Sequence, residues 1–239
     1  MAKSADKTAL QIKMLNLSKG PAVWAMRVQS DKLEYAKYMQ KVCSEQENLD
    51  IHIALVDKLI VEDNKIKGVT LENGLNIYAK TGIITTGTYL SSCVLWGDES
   101  HPAGPDGEDT NYGFSESLRQ IGFKLLRLKT GTPPRVYTNT IDFSKGVLEE
   151  GTNKPLTFSY ETDPKDMRPF DKQVPCYLIW TNEKTHEIIW KHMQESSMYS
   201  GLITGAGPRY CPSIETKLVR FKDKERHQIF LEPESLLID

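Results

Sequence analysis

Apolar and polar positions change period along this chain, and each change marks an element. Asn16-Leu17-Ser18-Lys19-Gly20-Pro21 reads as a helix opening with Pro21 in the first turn. Val23, Met26, Leu33, Tyr38 and Val42 supply an apolar stripe that predicts one helix running to about Cys43. The pattern then shortens to that of strands. Ile51 to Val56, Lys58 to Glu62, Lys65 to Leu71 and Leu75 to Ala79 are predicted strands, broken by Asp63-Asn64 and by Asn73-Gly74, a hairpin signal. Gly82-Ile83-Ile84-Thr85-Thr86-Gly87-Thr88 follows as a buried-looking strand ending in Thr-Gly. After a three-stranded meander, such an ending suits the return to a dinucleotide-binding sheet.

The second half alternates loops and short elements. His101 to Gly113 is a Gly/Pro/Asp/Asn loop, and Ser115 is the expected cap of a helix from Glu116 to Ile121. Asp142 to Lys172 is polar and irregular around a short predicted strand near Leu156 to Tyr160. Val174 to Trp180 reads as a strand, and Thr181-Asn182-Glu183-Lys184 caps a helix to about Met193. Pro212 and Ser213 introduce a last helix, Ile214 to Phe221, with Ile214, Leu218 and Phe221 on one face.

Composition narrows the class. The 239 residues are 39% hydrophobic and 26% charged with net charge −2, which suits one large or two modest globular domains and advertises no general nucleic-acid affinity. No apolar run is long enough to span a membrane, and Met1 to Asp6 lacks an apolar signal segment. Cys43, Cys93, Cys176 and Cys211 are far apart with no C-x-x-C, which argues against zinc or a disulfide framework and suits a reducing cytoplasm. His186 and His192 lie six apart on a predicted helix, a poor spacing for metal ligation.

One run carries chemistry. Gly207-Pro208-Arg209-Tyr210-Cys211-Pro212-Ser213-Ile214-Glu215 sets a thiol between a glycine turn, a cation and a helix start, conditions that favour a thiolate. A small buried packing residue is the competing reading of Cys211. Glu215 reads either as an ion-pair partner of Arg209, Lys217 or Arg220 or as a catalytic carboxylate. Gly205-Ala206-Gly207 begins like G-x-G-x-x-G, but Tyr210 stands in the third glycine's place. Lys129-Thr130-Gly131-Thr132-Pro133-Pro134-Arg135 is a rigid turn with two cations, fit to hold a phosphate or to connect domains.

Six blocks in one order carry a resemblance: Met14 to Val23, Lys129 to Arg135, Val174 to Tyr177, Thr181 to His186, Gly207 to Phe221 and His227 to Glu234. From about Ala5 to Glu234 the chain closely resembles the glucose-inhibited division protein A family, the FAD-binding subunits of the tRNA uridine 5-carboxymethylaminomethyl modification enzyme. The resemblance implies an α/β fold: part of a Rossmann-like FAD/NAD(P)-binding domain of the glutathione-reductase type, with a β-meander and an inserted α/β domain. The implied segments are 1–50 (inserted, helical), 51–135 (FAD domain), 136–226 (inserted, NAD-associated) and 227–239 (return to the FAD domain).

It further implies a cytoplasmic tRNA-modifying flavoprotein that uses FAD, NAD(H) and a folate one-carbon donor, works with a GTPase partner and forms a homodimer. By position, Val56 and Asn111 would contact FAD, with serine standing at the second position in other members. Gly207, Pro208, Arg209, Tyr210, Cys211, Pro212, Ser213, Ile214, Glu215, Lys217, Arg220 and Phe221 would form the NAD stretch. Cys211 would be the catalytic thiol, a nucleophile or proton donor to the uracil, and Lys129 and Arg135 would contact phosphate or tRNA. The family's opening strand with G-x-G-x-x-G and its C-terminal helical domain have no counterpart in this sequence. The expectation is therefore an internal piece of a longer protein that exposes an apolar edge, tends to associate and binds FAD poorly or not at all. A non-catalytic RNA-binding remnant and a general NAD(P)H–flavin oxidoreductase are the alternatives.

Overall fold

The computed structural model describes residues 1–207 and 212–238. Its helices and strands run α1 (Ala2–Lys7), β1 (Ala9–Leu15), β2 (Ala25–Ser30), α2 (Lys32–Ser44), β3 (Val56–Glu62), β4 (Lys65–Leu71), β5 (Asn76–Tyr78), β6 (Cys93–Trp96), β7 (Glu99–Pro102), α3 (Tyr112–Gln120), β8 (Val147–Glu149), β9 (Cys176–Trp180), α4 (Glu183–Lys191), α5 (Ile214–Arg220) and β10 (Gln228–Leu231). The result is a mixed α/β chain with small antiparallel sheets. It divides into two units: Met1–Ile51 with Pro133–Glu183 and Lys224–Asp239, and His52–Thr132 with Lys184–Asp223.

In the first unit, β1 pairs antiparallel with β2, and β8, β9 and β10 form a sheet in the order β10-β9-β8. The single helix expected from Asn16 to Cys43 is instead a short turn at Pro21–Val23, then β2, then α2. Met26 and Val28 are two apart, not three or four. They pack on the buried cluster of Ala9, Ile12 and Met167, so the period of two prevails over the helical stripe. Asp31 starts α2 by accepting from the backbone N–H groups of Leu33 and Glu34, both at 3.0 Å.

The strand expected near Leu156 to Tyr160 is absent, and the third strand of this sheet is β8. The amides of Phe158 and Ser159 donate to the buried carboxylate of Asp6 at 2.7 and 2.9 Å, and the Thr162 hydroxyl adds a third bond at 2.7 Å. Those backbone groups go to a side chain rather than to a ladder. Asp31 does the same for the C-terminal segment, accepting from Leu236 N–H at 2.8 Å.

The second unit holds the predicted meander, β3-β4-β5. Asp63 and Asn64 both adopt positive φ (49° and 59°), the left-handed pair that a tight hairpin between right-twisted strands requires. Gly68 in β4 is needed for close approach, because a Cβ there would lie 2.1 Å from Ile77 O. Ile51 to Leu55 and Gly82 to Thr86 contain no regular strand. Ile53 and Ile83 are 101% and 91% exposed, so neither apolar run has the neighbouring strand that would bury it among the described residues.

Candidate functional site

Val56 begins β3, and Asn111 is the N-cap of α3. The structure joins these two residues directly. The Asn111 side-chain amide donates to the Val56 carbonyl at 2.7 Å, and its Oδ1 accepts from Phe114 N–H at 2.9 Å. Asn111 N–H donates to Tyr89 O at 2.8 Å, while Asn111 O accepts from Ser91 N–H at 3.0 Å and the Ser115 hydroxyl at 3.0 Å. One residue thus ties together the start of a strand, the Tyr89–Ser91 turn and the first turn of a helix.

The helix starts at Tyr112, not at Glu116. Asn111 supplies the cap, and Ser115 is fully buried inside the helix with its hydroxyl returned to Asn111 O. Farther along the seam, Leu59 N–H donates to the Ser117 hydroxyl at 3.1 Å, and Phe114 and Leu118 bury the apolar face of α3. Gly113 lies against Asp57, whose Oδ1 is 2.2 Å from where a Cβ would stand.

Val56 and Asn111, the two residues expected to contact FAD, are thus brought together at one junction. The Val56 carbonyl has a second lone pair beyond the one Asn111 uses. Both side-chain groups of Asn111 are already engaged within the protein. Two open grooves, of about 400 Å3 (lined by Glu62, Lys67, Tyr78, Ala79 and Lys80) and about 330 Å3 (lined by Ile141, Asp142, Lys145, Ile179, Trp180 and Leu231), include neither Val56 nor Asn111.

Of the Gly207 to Phe221 stretch, Pro208, Arg209, Tyr210 and Cys211 lie outside the described residues, and so does the candidate catalytic thiol. Pro212 and Ser213 lead into α5 as expected, with Ser213 Oγ accepting from Thr216 N–H. Ile214 is half-buried and Leu218 fully buried, but Phe221, just past the helix, is largely exposed. Arg220 is exposed and Lys217 half-buried. Glu215 is half-buried and accepts a hydrogen bond from the Ser196 hydroxyl at 2.9 Å. Burial pushes its carboxyl up, yet its own backbone N–H, the Ser196 and Ser213 hydroxyls and the Lys129 charge hold it below the ordinary value.

Ser196 was not a candidate from sequence; nothing in a serine 19 positions upstream signals that contact. Gly205 has a packing reason rather than a fingerprint one, since a Cβ there would lie 2.6 Å from Arg127 O.

Lys129 and Arg135 separate. Lys129 belongs to the second unit, where its N–H donates to Ala206 O at 3.1 Å. Arg135 belongs to the first unit and grips Glu234 with two bonds, Nε to Oε2 at 3.1 Å and Nη2 to Oε1 at 3.0 Å. Lys32 joins the same carboxylate at 3.4 Å.

Cys176 is buried and donates to Gln11 Oε1 at 3.6 Å. Burial and the Glu232 charge push its thiol up, so it is a poor thiolate. Among the described residues no three His, Cys, Asp or Glu side chains are grouped to hold a metal ion, and no helix is long and apolar enough to cross a membrane.

Comparison with known proteins now places the chain. The model of the family described as glucose inhibited division protein A matches residues 1–239. The tRNA uridine 5-carboxymethylaminomethyl modification enzyme MnmG of Onion yellows phytoplasma is 51% identical over 239 residues, 100% of this chain and 38% of that protein. The enzyme of the same name from Mycoplasma mobile is 53% identical over 235 residues, 98% of this chain and 38% of its own length. Aquifex aeolicus GidA, in its form I crystal, superposes with a TM-score of 0.89 at 47% identity, over 99% of this chain and 40% of that one. The chain spans about 38% of the length of the curated relatives it matches. With its entire described fold and its sequence both following this pattern, the chain belongs to the glucose inhibited division protein A family.

Proposed function

We propose that this chain forms part of a flavoprotein that builds the carboxymethylaminomethyl group at C5 of the wobble uridine in tRNA. The observation that carries the reading is agreement at about half of all positions, along the whole chain, with relatives named for that modification. In this reading residues 51–135 contribute to a Rossmann-like FAD domain of the glutathione-reductase type, and 136–226, which the two compact units divide between Glu183 and Lys184, to an inserted α/β region. Val56 and Asn111 hold the edge of FAD: Asn111 orients the Val56 carbonyl, and the carbonyl's remaining lone pair faces the ligand. When bound, FAD supplies the redox chemistry.

The Gly207 to Phe221 stretch takes NAD(H) as reductant, and Cys211 serves as nucleophile or proton donor to the uracil. A folate derivative donates the carbon. A GTPase partner, a homodimeric assembly and a cytoplasmic setting complete the reading. Arg135 acts through its clasp on Glu234, which leaves Lys129 as the better placed of the two cations for a phosphate. The general NAD(P)H–flavin oxidoreductase is the weaker alternative, because redox work at Cys211 calls for a second reactive thiol and Cys176 is buried with a raised thiol pKa.

The test is a chimera in which these 239 residues replace the matching stretch of a relative such as the phytoplasma enzyme. Expressed in a strain without the enzyme, it is expected to restore the modified wobble uridine, read by mass spectrometry of tRNA nucleosides. Cys211→Ser in the chimera is expected to abolish the product. A soluble chimera that leaves the uridine unmodified overturns the reading.

A further inference from the structure

After β10 the chain runs back along the first unit as a strap, residues 232–236, and the bonds that hold it there are polar. Gln29 Nε2 donates to Pro233 O at 2.9 Å, Lys32 N–H to Glu234 O at 2.9 Å, and Leu236 N–H to Asp31 Oδ2 at 2.8 Å. Glu232 pairs with Arg27 at 2.5 Å. Leu236, Leu237 and Ile238 are all exposed, so apolar burial adds little. Glu234 is the node of this arrangement. Its carboxylate takes the two-bond fork of Arg135, at 3.1 and 3.0 Å, and the Lys32 ammonium at 3.4 Å. One residue thus joins three stretches: the start of α2, the strap, and the chain around Arg135. That last stretch enters the first unit at Pro133, directly after the second unit's Thr132. Pro133, Pro134 and Val136 are exposed, and Arg135 Nη1 turns back only to Pro133 O at 3.2 Å, so the fork to Glu234 is what fastens the stretch. A guanidinium–carboxylate fork is geometrically specific, but where its members are partly exposed its strength falls with salt.

We propose that Arg135, Glu234 and Lys32 form an electrostatic catch. Closed, it fastens both the strap and the connector that arrives from the second unit to the start of α2. Opened, by salt or by loss of the Glu234 charge, it releases strap and connector together. The two must respond as one because both depend on a single carboxylate, 99 positions from Arg135. The backbone ladder of β9 and β10 makes no use of that carboxylate and stays paired. The catch therefore regulates the freedom of a covalent connection between the units, and it opens well before the sheet does, as a segment with few buried apolar contacts should.

The experiment reads both ends of the catch in the whole chain at low and high sodium chloride. Trypsin cleavage after Arg135, relative to a short peptide of the same sequence, reports the connector. Hydrogen–deuterium exchange of the peptide covering Glu232–Ile238, beside that covering Gln228–Leu231, reports the strap. Glu234→Gln keeps the side chain's length and loses its charge; it is expected to speed cleavage after Arg135 and exchange in the strap about three- to tenfold. Arg135→Gln is expected to speed exchange in the strap to a similar degree, because coupling between the two ends is reciprocal. Raising salt should move the unsubstituted chain in the same direction and have a smaller effect on Glu234→Gln. In every case exchange of Gln228–Leu231 should hold. Variants that loosen only their own stretch overturn the proposal, as does an undiminished salt response in Glu234→Gln. Equal loss of protection in Gln228–Leu231 also overturns it, since the first unit would then be unfolding as a whole.

Discussion

Replacing Asn111 by alanine removes two bonds at once, and their worth can be added from the geometry. The cap to Phe114 N–H, at 2.9 Å, contributes about 1 kcal/mol. The bond to the Val56 carbonyl, at 2.7 Å and partly buried, contributes about 1 kcal/mol more. Loss of both lowers the local stability of α3 and the start of β3 by about 2 kcal/mol, roughly a thirtyfold fall in amide exchange protection. Asn111→Ser retains a cap but is too short to reach Val56, so it is expected to lose about 1 kcal/mol, roughly fivefold in protection. The assay is hydrogen–deuterium exchange read on peptides covering Val56–Glu62 and Tyr112–Gln120, compared with Val147–Glu149 in the other unit. Unchanged protection of both peptides in Asn111→Ala refutes the junction as a structural latch. Equal losses in the alanine and serine variants refute the division between cap and latch.

Three further outcomes are expected. In Asp31, burial pushes the carboxyl up but the bonds from Glu34, Leu236, Ser235 and Leu33 outweigh it, and Arg135 with Lys32 lowers Glu234. With both folded values depressed, their stabilisation is complete above the unfolded carboxyl range, roughly pH 4, and is lost as pH falls through the folded values; limited proteolysis should release the segment after Leu231 only below that range. Gly68→Ala sets a methyl against Ile77 O and Tyr78 Cα, and about 2 kcal/mol or more of destabilisation with loss of β5 protection is expected in urea titrations followed by exchange. Iodoacetamide should label the exposed Cys93 well before the buried Cys176 in the native chain, as read by mass spectrometry; equal rates would contradict the burial described for Cys176.

Local signals were readable where local rules decide. Asp63-Asn64 and Asn73-Gly74 announced the meander, and α4 and α5 follow their predicted caps within a residue or two. The Ala25–Ser30 strand was hidden because Val23 and Met26 also satisfy a helical stripe. What decided it was the edge of β1, which only the three-dimensional fold supplies. Ser115 looked like a cap by residue type, but Asn111 lies nearer the chain's turn and also reaches Val56. The Val56–Asn111 contact spans 55 positions and obeys no period, so spacing could not reveal it; only the family resemblance set the two side by side. Lys129 and Arg135 shared one motif, yet the boundary between the units falls between them, at Thr132 and Pro133.

The buried carboxylate of Asp6 has a consequence for how the chain emerges during synthesis. Its bonding partners Phe158, Ser159 and Thr162 come more than 150 residues later, and Asp31 awaits Leu236, 205 residues on. At roughly 5–20 residues per second, the β1–β2 ribbon waits about 8–40 s on the ribosome before the segments that close it are made. The second unit's meander, by contrast, is complete by Tyr78 and needs no later strand to pair. Within these residues the first unit opens before the second and closes after it, so its β1–β2 ribbon stays uncovered while the second unit's meander is made.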